Sequence, residues 1–88
     1  MLETKVTIIN KAGLHARAAA KLASICSGFA SNIQIGHDKM VDGKSILSLM
    51  MLAAVKGTTL TVQADGPDKQ EALQAVTDLV NDRFGETE

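Results

Sequence analysis

The sequence predicts an α+β fold in which three helices cover one face of a four-stranded, mainly antiparallel sheet. Segments with alternating hydrophobic residues are expected to form half-buried strands, and segments with hydrophobic residues three and four positions apart are expected to form helices. These segments follow one another in the order strand, helix, strand, strand, helix, strand, helix. Such an order places the helices together over one side of the sheet.

The first half of the chain predicts a strand, a turn and a helix. Alternation over residues 4–9 indicates the first strand, and the asparagine and glycine of residues 10–13 are typical of a turn. Helical spacing over residues 16–27 indicates the first helix, and Gly28 is expected to end it as a C-cap.

The middle of the chain predicts a hairpin, a short helix and a fourth strand. The hairpin strands are expected over residues 32–36 and 39–42. Ser45 is well placed as the N-cap of a helix that runs to about Leu52. Alternation resumes over residues 58–64 and predicts the last strand.

The third helix is predicted to begin after Asp68, which stands in capping-box spacing with Glu71. Five residues form its hydrophobic stripe: Ala72, Leu73, Val76, Leu79 and Val80. Residues 85–88 are expected to be frayed, as chain termini often are.

Length and composition favour one compact domain over residues 1–88, with a shallow surface site rather than a deep pocket. The only aromatic residues are Phe29 and Phe84, so base stacking on nucleic acid is not expected. Cys26 lies in a helical stripe and is expected to be a buried thiol, which suits a reducing cytoplasm. No leader or bilayer-length hydrophobic run is visible, so neither export nor membrane insertion is expected.

Charge is distributed unevenly along the chain. Residues 1–56 carry seven basic and three acidic groups, a balance of +4, whereas residues 57–88 carry two basic and seven acidic groups, a balance of −5. The stretch between Thr4 and His37 contains no acidic residue at all. A positive region of this kind attracts anions or an acidic partner, although a solvated helix face would give the same pattern.

His15 stands where the turn gives way to the first helix. Its ring is expected to lie beside free backbone N–H groups, where the helix dipole and Arg17 disfavour a positive imidazolium. A neutral ring has a nitrogen lone pair that can accept a phosphoryl group. The backbone of Ala16 and Arg17 and the guanidinium of Arg17 could then hold the phosphoryl oxygens. A histidine that merely caps the helix is the structural alternative.

Residues 13–17 (GLHAR) resemble the active-site signature of HPr, the histidine-containing phosphocarrier family of the bacterial phosphoenolpyruvate-dependent sugar phosphotransferase system. Residues 44–46 (KSI) and 54–57 (AVKG) resemble the family's second signature at the expected separation. The resemblance implies an open-faced β-sandwich in which enzyme I phosphorylates His15 on Nδ1. It also implies that Arg17 steadies the phosphoryl group until it passes to enzyme IIA domains for sugar uptake.

One residue departs from the family pattern, because Ala18 stands where the family usually has proline. Alanine is an excellent helix former, so the helix is expected to survive. The departure bears on how tightly the loop that carries His15 is held.

The short helix after Ser45 has more hydrophobic residues than one face can bury. Leu49 and Leu52 suit the core by spacing. The others are expected to form an exposed docking patch for partners: Ile46, Leu47 and Met50. The cationic Lys21 is added to this patch, since the partners are expected to be acidic. A fully buried helix is the alternative interpretation.

Ser45 carries a second implication of the resemblance. In many HPr proteins a dedicated HPr kinase/phosphorylase modifies the matching serine, and a new negative charge at this helix start would spoil docking without refolding the domain.

The residues support a monomeric carrier rather than an independent enzyme, with no cofactor and no metal site. No general base or carboxylate partner is visible beside His15 in the sequence, and His37 lies in a hairpin turn with no assigned role. Two alternatives stay open: a carrier of the nitrogen-related regulatory branch, and a binding module regulated only through Ser45.

Overall fold

The computed structural model describes all 88 residues. Its helices and strands are β1 (Leu2–Thr7), α1 (Ala16–Ser27), β2 (Asn32–Gly36), β3 (Met40–Asp42), α2 (Ile46–Met50), β4 (Thr59–Asp65) and α3 (Lys69–Asn81), followed by one 3-10 turn (Arg83–Gly85). This order confirms the predicted one. The four strands form one antiparallel sheet in the order β1-β4-β2-β3.

The sheet buries one face and leaves the other open. In β4 the alternating residues Leu60, Val62 and Ala64 are fully buried, as predicted, while Thr59 and Asp65 are exposed. The inward residues of the strands and the stripes of α1 and α3 join in one cluster of 19 buried hydrophobic residues. The molecule is therefore an open-faced α+β sandwich.

Cys26 belongs to this cluster and is fully buried, as the sequence predicts. Desolvation by burial raises the pKa of its thiol to about 12. Because the thiolate is the reactive form, Cys26 is a core residue and not a nucleophile.

One predicted cap is confirmed and one differs from the structure. Gly28 is the C-cap of α1, as predicted, although its φ of −76° and ψ of −6° are right-handed and not the left-handed conformation typical of a C-cap glycine. Asp68 is the N-cap of α3 by position, but its side chain makes no capping hydrogen bond, so the predicted capping box is wrong. Its carboxylate accepts hydrogen bonds from the backbone N–H groups of Ala30 and Ser31 at 2.8 and 2.9 Å, and from the Ser31 hydroxyl at 2.5 Å.

These bonds predict a pH-dependent contribution of Asp68 to stability. The Ser31 hydroxyl and the Ala30 amide hold the pKa of Asp68 below its usual range. Because the pKa is lowered in the folded state, the contribution is complete above the unfolded pKa of about 3.9 and is lost as the pH falls through the lower, folded pKa. We expect Asp68→Asn to lower the unfolding temperature at pH 7 and to flatten its decline below pH 4, as measured by thermal unfolding between pH 2 and 7. If the unfolding temperature of Asp68→Asn declined below pH 4 as steeply as that of the parent, this assignment would be contradicted.

The loop before α1 is seated on the loop after α2. The N–H of Leu14 donates to the carbonyl of Ala54 at 2.8 Å, and Gly13 adopts φ +70°. A Cβ at Gly13 would lie 2.6 Å from the Ala54 oxygen, so only glycine allows this approach. The contact fixes where α1 begins.

The longest helix of the fold has 13 residues, and none of the helices is long and apolar enough to cross a membrane.

Candidate functional site

His15 is the N-cap of α1. Its backbone is extended, with φ −82° and ψ −178°, and its Nδ1 accepts a hydrogen bond from the N–H of Arg17 at 3.2 Å. The first turn of α1 contains no acidic residue, and the imidazole is 33% exposed. The ring thus lies over the helix start, where the sequence places it, and is reachable from solvent.

A carboxylate faces the other ring nitrogen. Oε2 of Glu86 lies 2.5 Å from Nε2 of His15, and Oε1 of Glu86 accepts a hydrogen bond from Nδ2 of Asn10 at 3.0 Å. The sequence predicts no carboxylate partner for this histidine, and that prediction is wrong. The two residues are 71 positions apart, so only the tertiary fold brings them together.

The C-terminal tail reaches the site through a tight reversal. Arg83, Phe84 and Gly85 all adopt positive φ, between 55° and 79°, and the Phe84 side chain is fully buried. Nζ of Lys21 donates to the Phe84 carbonyl at 2.6 Å. The N–H of Lys11 donates to the Glu88 backbone oxygen at 2.8 Å, so the prediction of a frayed tail is also wrong.

The hydrogen bonds define the tautomer of His15. The side chains of Asn10 and His15 hold the pKa of Glu86 below its usual range, so its carboxylate is ionised at neutral pH and can only accept. Nε2 of His15 therefore donates to Glu86. Because Nδ1 accepts from the Arg17 amide, Nδ1 carries the lone pair of a neutral ring. The lone pair thus lies on the ring nitrogen nearest the helix start.

Donors for an anion surround this nitrogen. The backbone N–H groups of Ala16 and Ala18 have no acceptor within the chain, and that of Arg17 is bonded only to His15. Helix α1 begins at Ala16 despite the alanine at position 18, as expected. The exposed Arg17 side chain also borders a neighbouring surface cavity of about 540 Å³, which Glu86 and Glu88 line and His15 does not.

Helix α2 presents the predicted surface patch. Ser45 is its N-cap, and its Oγ accepts from the N–H of Ser48 at 3.2 Å. Leu49 is fully buried and Leu52 partly buried, whereas three residues are 41–68% exposed: Ile46, Leu47 and Met50. Met51 and Val55, which follow α2 in the chain, are also exposed and were not assigned to the patch; the helix ends at Met50, two residues before the predicted limit.

Two other predicted residues lie outside the His15 contacts. Lys21, predicted to dock partners, directs its ammonium at the tail carbonyl of Phe84. His37 lies in the β2–β3 turn, with Nδ1 3.5 Å from Asp38. No three His, Cys, Asp or Glu side chains come close enough together to hold a metal ion.

The fold and the site together define a small α+β domain with a partly exposed histidine at a helix N-terminus. The chain matches the family model described as "PTS HPr component phosphorylation site" over residues 2–82. It therefore belongs to the HPr phosphocarrier family of the phosphotransferase system.

Relatives and solved structures agree with this assignment. The chain is 51% identical to phosphocarrier protein HPr of Cupriavidus necator over 100% of both chains. It is 45% identical to phosphocarrier protein NPr of Shewanella violacea, over 97% of this chain and 94% of that one. A crystal structure of HPr from Thermoanaerobacter tengcongensis has 40% identity and a TM-score of 0.95 over 100% of both chains. A dimer of HPr from that organism has 41% identity and a TM-score of 0.78, over 98% of this chain and 100% of that one.

Proposed function

We propose that this phosphocarrier accepts a phosphoryl group on Nδ1 of His15 from phospho-enzyme I and donates it to an enzyme IIA domain. The observation that carries the proposal is the orientation of the ring. Nδ1 has the lone pair and lies over the amides of α1. Nε2 keeps its proton and donates a hydrogen bond to the Glu86 carboxylate. Family membership supports the general role, and the exposed ring supports access by a partner.

The transfer step follows from this tautomer. The Nδ1 lone pair forms a bond to phosphorus while the bond between phosphorus and the donor breaks and its electron pair returns to the donor. The phosphorylated ring keeps the Nε2 proton and so carries a positive charge, which the Glu86 carboxylate stabilises. When an acceptor takes the phosphoryl group, the electron pair returns to Nδ1 and the leaving ring is neutral. Glu86 therefore assists both the transfer of the phosphoryl group to Nδ1 and its transfer away from Nδ1.

The helix start supplies the phosphate ligands. A phosphoryl group on Nδ1 displaces the hydrogen bond from the Arg17 amide, and a phosphoryl oxygen becomes the new acceptor for that N–H. The Ala16 amide and the Arg17 guanidinium add further donors. The domain holds the phosphoryl group without a built hydrolytic site, which suits a carrier.

Phosphorylation by purified enzyme I and phosphoenolpyruvate tests the proposal. We expect acid-labile phosphate on the parent chain and on His37→Ala, and none on His15→Ala. Labelling that persists in His15→Ala would overturn the proposal. Acid-stable phosphate alone would favour the binding module that is regulated only through Ser45.

The output branch has two candidates. Sugar uptake is the branch that the resemblance of the two signatures implies, and the similarity to phosphocarrier protein NPr of Shewanella violacea supports the nitrogen-related regulatory branch as the second. Rates of phosphorylation by the enzyme I of each branch, measured side by side, distinguish the two. We further propose that the carrier is a cytoplasmic monomer, since one exposed face must meet successive partners; sedimentation of the purified chain tests the monomer.

Ser45 is proposed as a regulatory site of an HPr kinase, with the α2 patch and Lys21 as the docking surface. We expect Ser45→Asp to slow phosphoryl transfer from enzyme I by about tenfold, because a negative charge beside the patch repels an acidic partner. Aspartate is a good N-cap, so thermal stability should stay unchanged. Ser27→Asp, at the far end of α1, is the charge-matched control. Equal rates for Ser45→Asp and the parent would contradict this role.

A further inference from the structure

Asn10 is a buried amide in the loop that carries His15. Its side chain is fully buried, and its Nδ2 donates to the Gly13 carbonyl at 2.8 Å and to Oε1 of Glu86 at 3.0 Å. Its Oδ1 has no hydrogen-bond partner. A buried oxygen without a hydrogen-bond partner lowers stability. Asn10 therefore stabilises the site only through the two hydrogen bonds that its Nδ2 donates.

The two bonds join the two parts of the site. The bond to Gly13 closes the turn that leads into His15, and the bond to Glu86 reaches the C-terminal tail. Oε1 of Glu86 is held by Asn10, and Oε2 is held by His15. The carboxylate plane is therefore fixed by one partner on each oxygen, and a rotation that freed Oε2 from Nε2 would also break the bond to Asn10.

We propose that Asn10 is a positioning residue for phosphoryl transfer: its amide holds the Glu86 carboxylate against Nε2 of His15, so that Nδ1 keeps the lone pair. The inference rests on the proposed function and deepens it, because it assigns a role to a residue that does not touch the reacting nitrogen. The lowered pKa of Glu86, to which the Asn10 hydrogen bond is the largest contribution, agrees with the geometry. The ionisable groups around Glu86 are His15, Lys21, Arg17, Lys11 and the second tail carboxylate, Glu88.

The test is Asn10→Asp, which keeps the side-chain shape but replaces the donor by an acidic oxygen. Asn32→Asp on β2, which is exposed, is the matched control for the added charge. Nitrogen-15 NMR of the histidine ring measures the share of molecules with the proton on Nε2 in the neutral ring. We expect this share to fall in Asn10→Asp and to stay at the parent value in Asn32→Asp. We also expect Asn10→Asp to slow transfer from enzyme I by about tenfold.

A cycle with Glu86→Ala separates positioning from a general structural effect. If Asn10 acts through Glu86, Asn10→Asp leaves the tautomer unchanged once Glu86 is absent, and any loss of rate that remains comes from the broken bond to Gly13. Asn10→Ala, which has no acidic group, serves as the second variant should Asn10→Asp fail to fold. A parent-like tautomer and rate in both single variants, or a tautomer shift that persists without Glu86, would overturn the inference. Failure of the proposed function itself looks different, because the parent chain would then carry no acid-labile phosphate.

Discussion

Replacing Glu86 with glutamine is expected to slow phosphoryl transfer from enzyme I to His15 by about ten- to a hundredfold, the loss expected for one charge-assisted hydrogen bond. The carboxylate accepts a hydrogen bond from Nε2, with 2.5 Å between nitrogen and oxygen, and its negative charge would stabilise the positive charge of the phosphorylated ring. Glutamine is neutral and can also donate to Nε2, which would move the ring proton to Nδ1 and remove the nucleophilic lone pair. Rapid-quench kinetics with phospho-enzyme I measures the effect.

The neighbouring tail carboxylate supplies the control. The Glu88 side chain is exposed and reaches only Lys11, at 3.8 Å, so Glu88→Gln removes a negative charge from the same tail without touching His15. We expect this variant to transfer at nearly the parent rate. Equal losses in the two variants would mean that the tail acts through its overall charge, and the assigned role of Glu86 would be wrong.

Gly13→Ala is expected to reduce the free energy of unfolding by roughly 2–3 kcal/mol. About 1–2 kcal/mol comes from placing alanine in the left-handed conformation at φ +70°, and about 1 kcal/mol from the hydrogen bond between Leu14 and Ala54 that the displaced loop would lose. The new Cβ would lie 2.6 Å from the Ala54 oxygen, so the loop cannot stay in place. Because that loop carries His15, the transfer rate should fall as well.

Gly57→Ala separates backbone strain from this collision. Gly57 has φ +94°, but no atom beyond its chain neighbours lies within 4 Å of the position that a Cβ would take, so alanine there meets the strain alone. Urea unfolding of both variants should show a clearly larger loss for Gly13→Ala. Equal losses, or an unchanged transfer rate in Gly13→Ala, would contradict the claim that the Gly13 and Ala54 contact positions the histidine.

Local patterns were sufficient to predict most of the fold. Alternation located β4 to within one residue at each end, and helical spacing gave α1 its observed limits, because half-buried elements repeat at fixed periods. The N-cap position of Ser45 was also predicted, and the capping role of His15 was the alternative interpretation, since capping depends on residues within one helical turn. The strand order β1-β4-β2-β3 depends on pairings between distant segments, which a single sequence does not display.

The errors share a cause. Asp68 has the spacing of a capping box, but its carboxylate bonds to Ala30 and Ser31, which are 38 and 37 residues away. The tail looked frayed because its anchors, Asn10 and His15, lie at the other end of the chain. In both places a long-range hydrogen bond competes with the local pattern and prevails.

The sequence places His15 at the helix start, where the structure has it, but it did not predict the carboxylate beside the ring. His15 and Arg17 are neighbours in the sequence, so their relation to the helix start follows from local geometry. Glu86 has no local signal that connects it to a histidine. The hydrogen bonds add what the sequence does not display, because Glu86 and the Arg17 amide together favour the tautomer with the lone pair on Nδ1.

The position of the phosphoryl group on the imidazole tests the central claim most directly. The chain, labelled with nitrogen-15 in histidine, would be phosphorylated by enzyme I and studied by NMR for the coupling between phosphorus and each ring nitrogen. We expect a bond from phosphorus to Nδ1 of His15, with the proton retained on Nε2. A phosphoryl group on Nε2, or on His37, would contradict the assigned roles of His15 and Glu86.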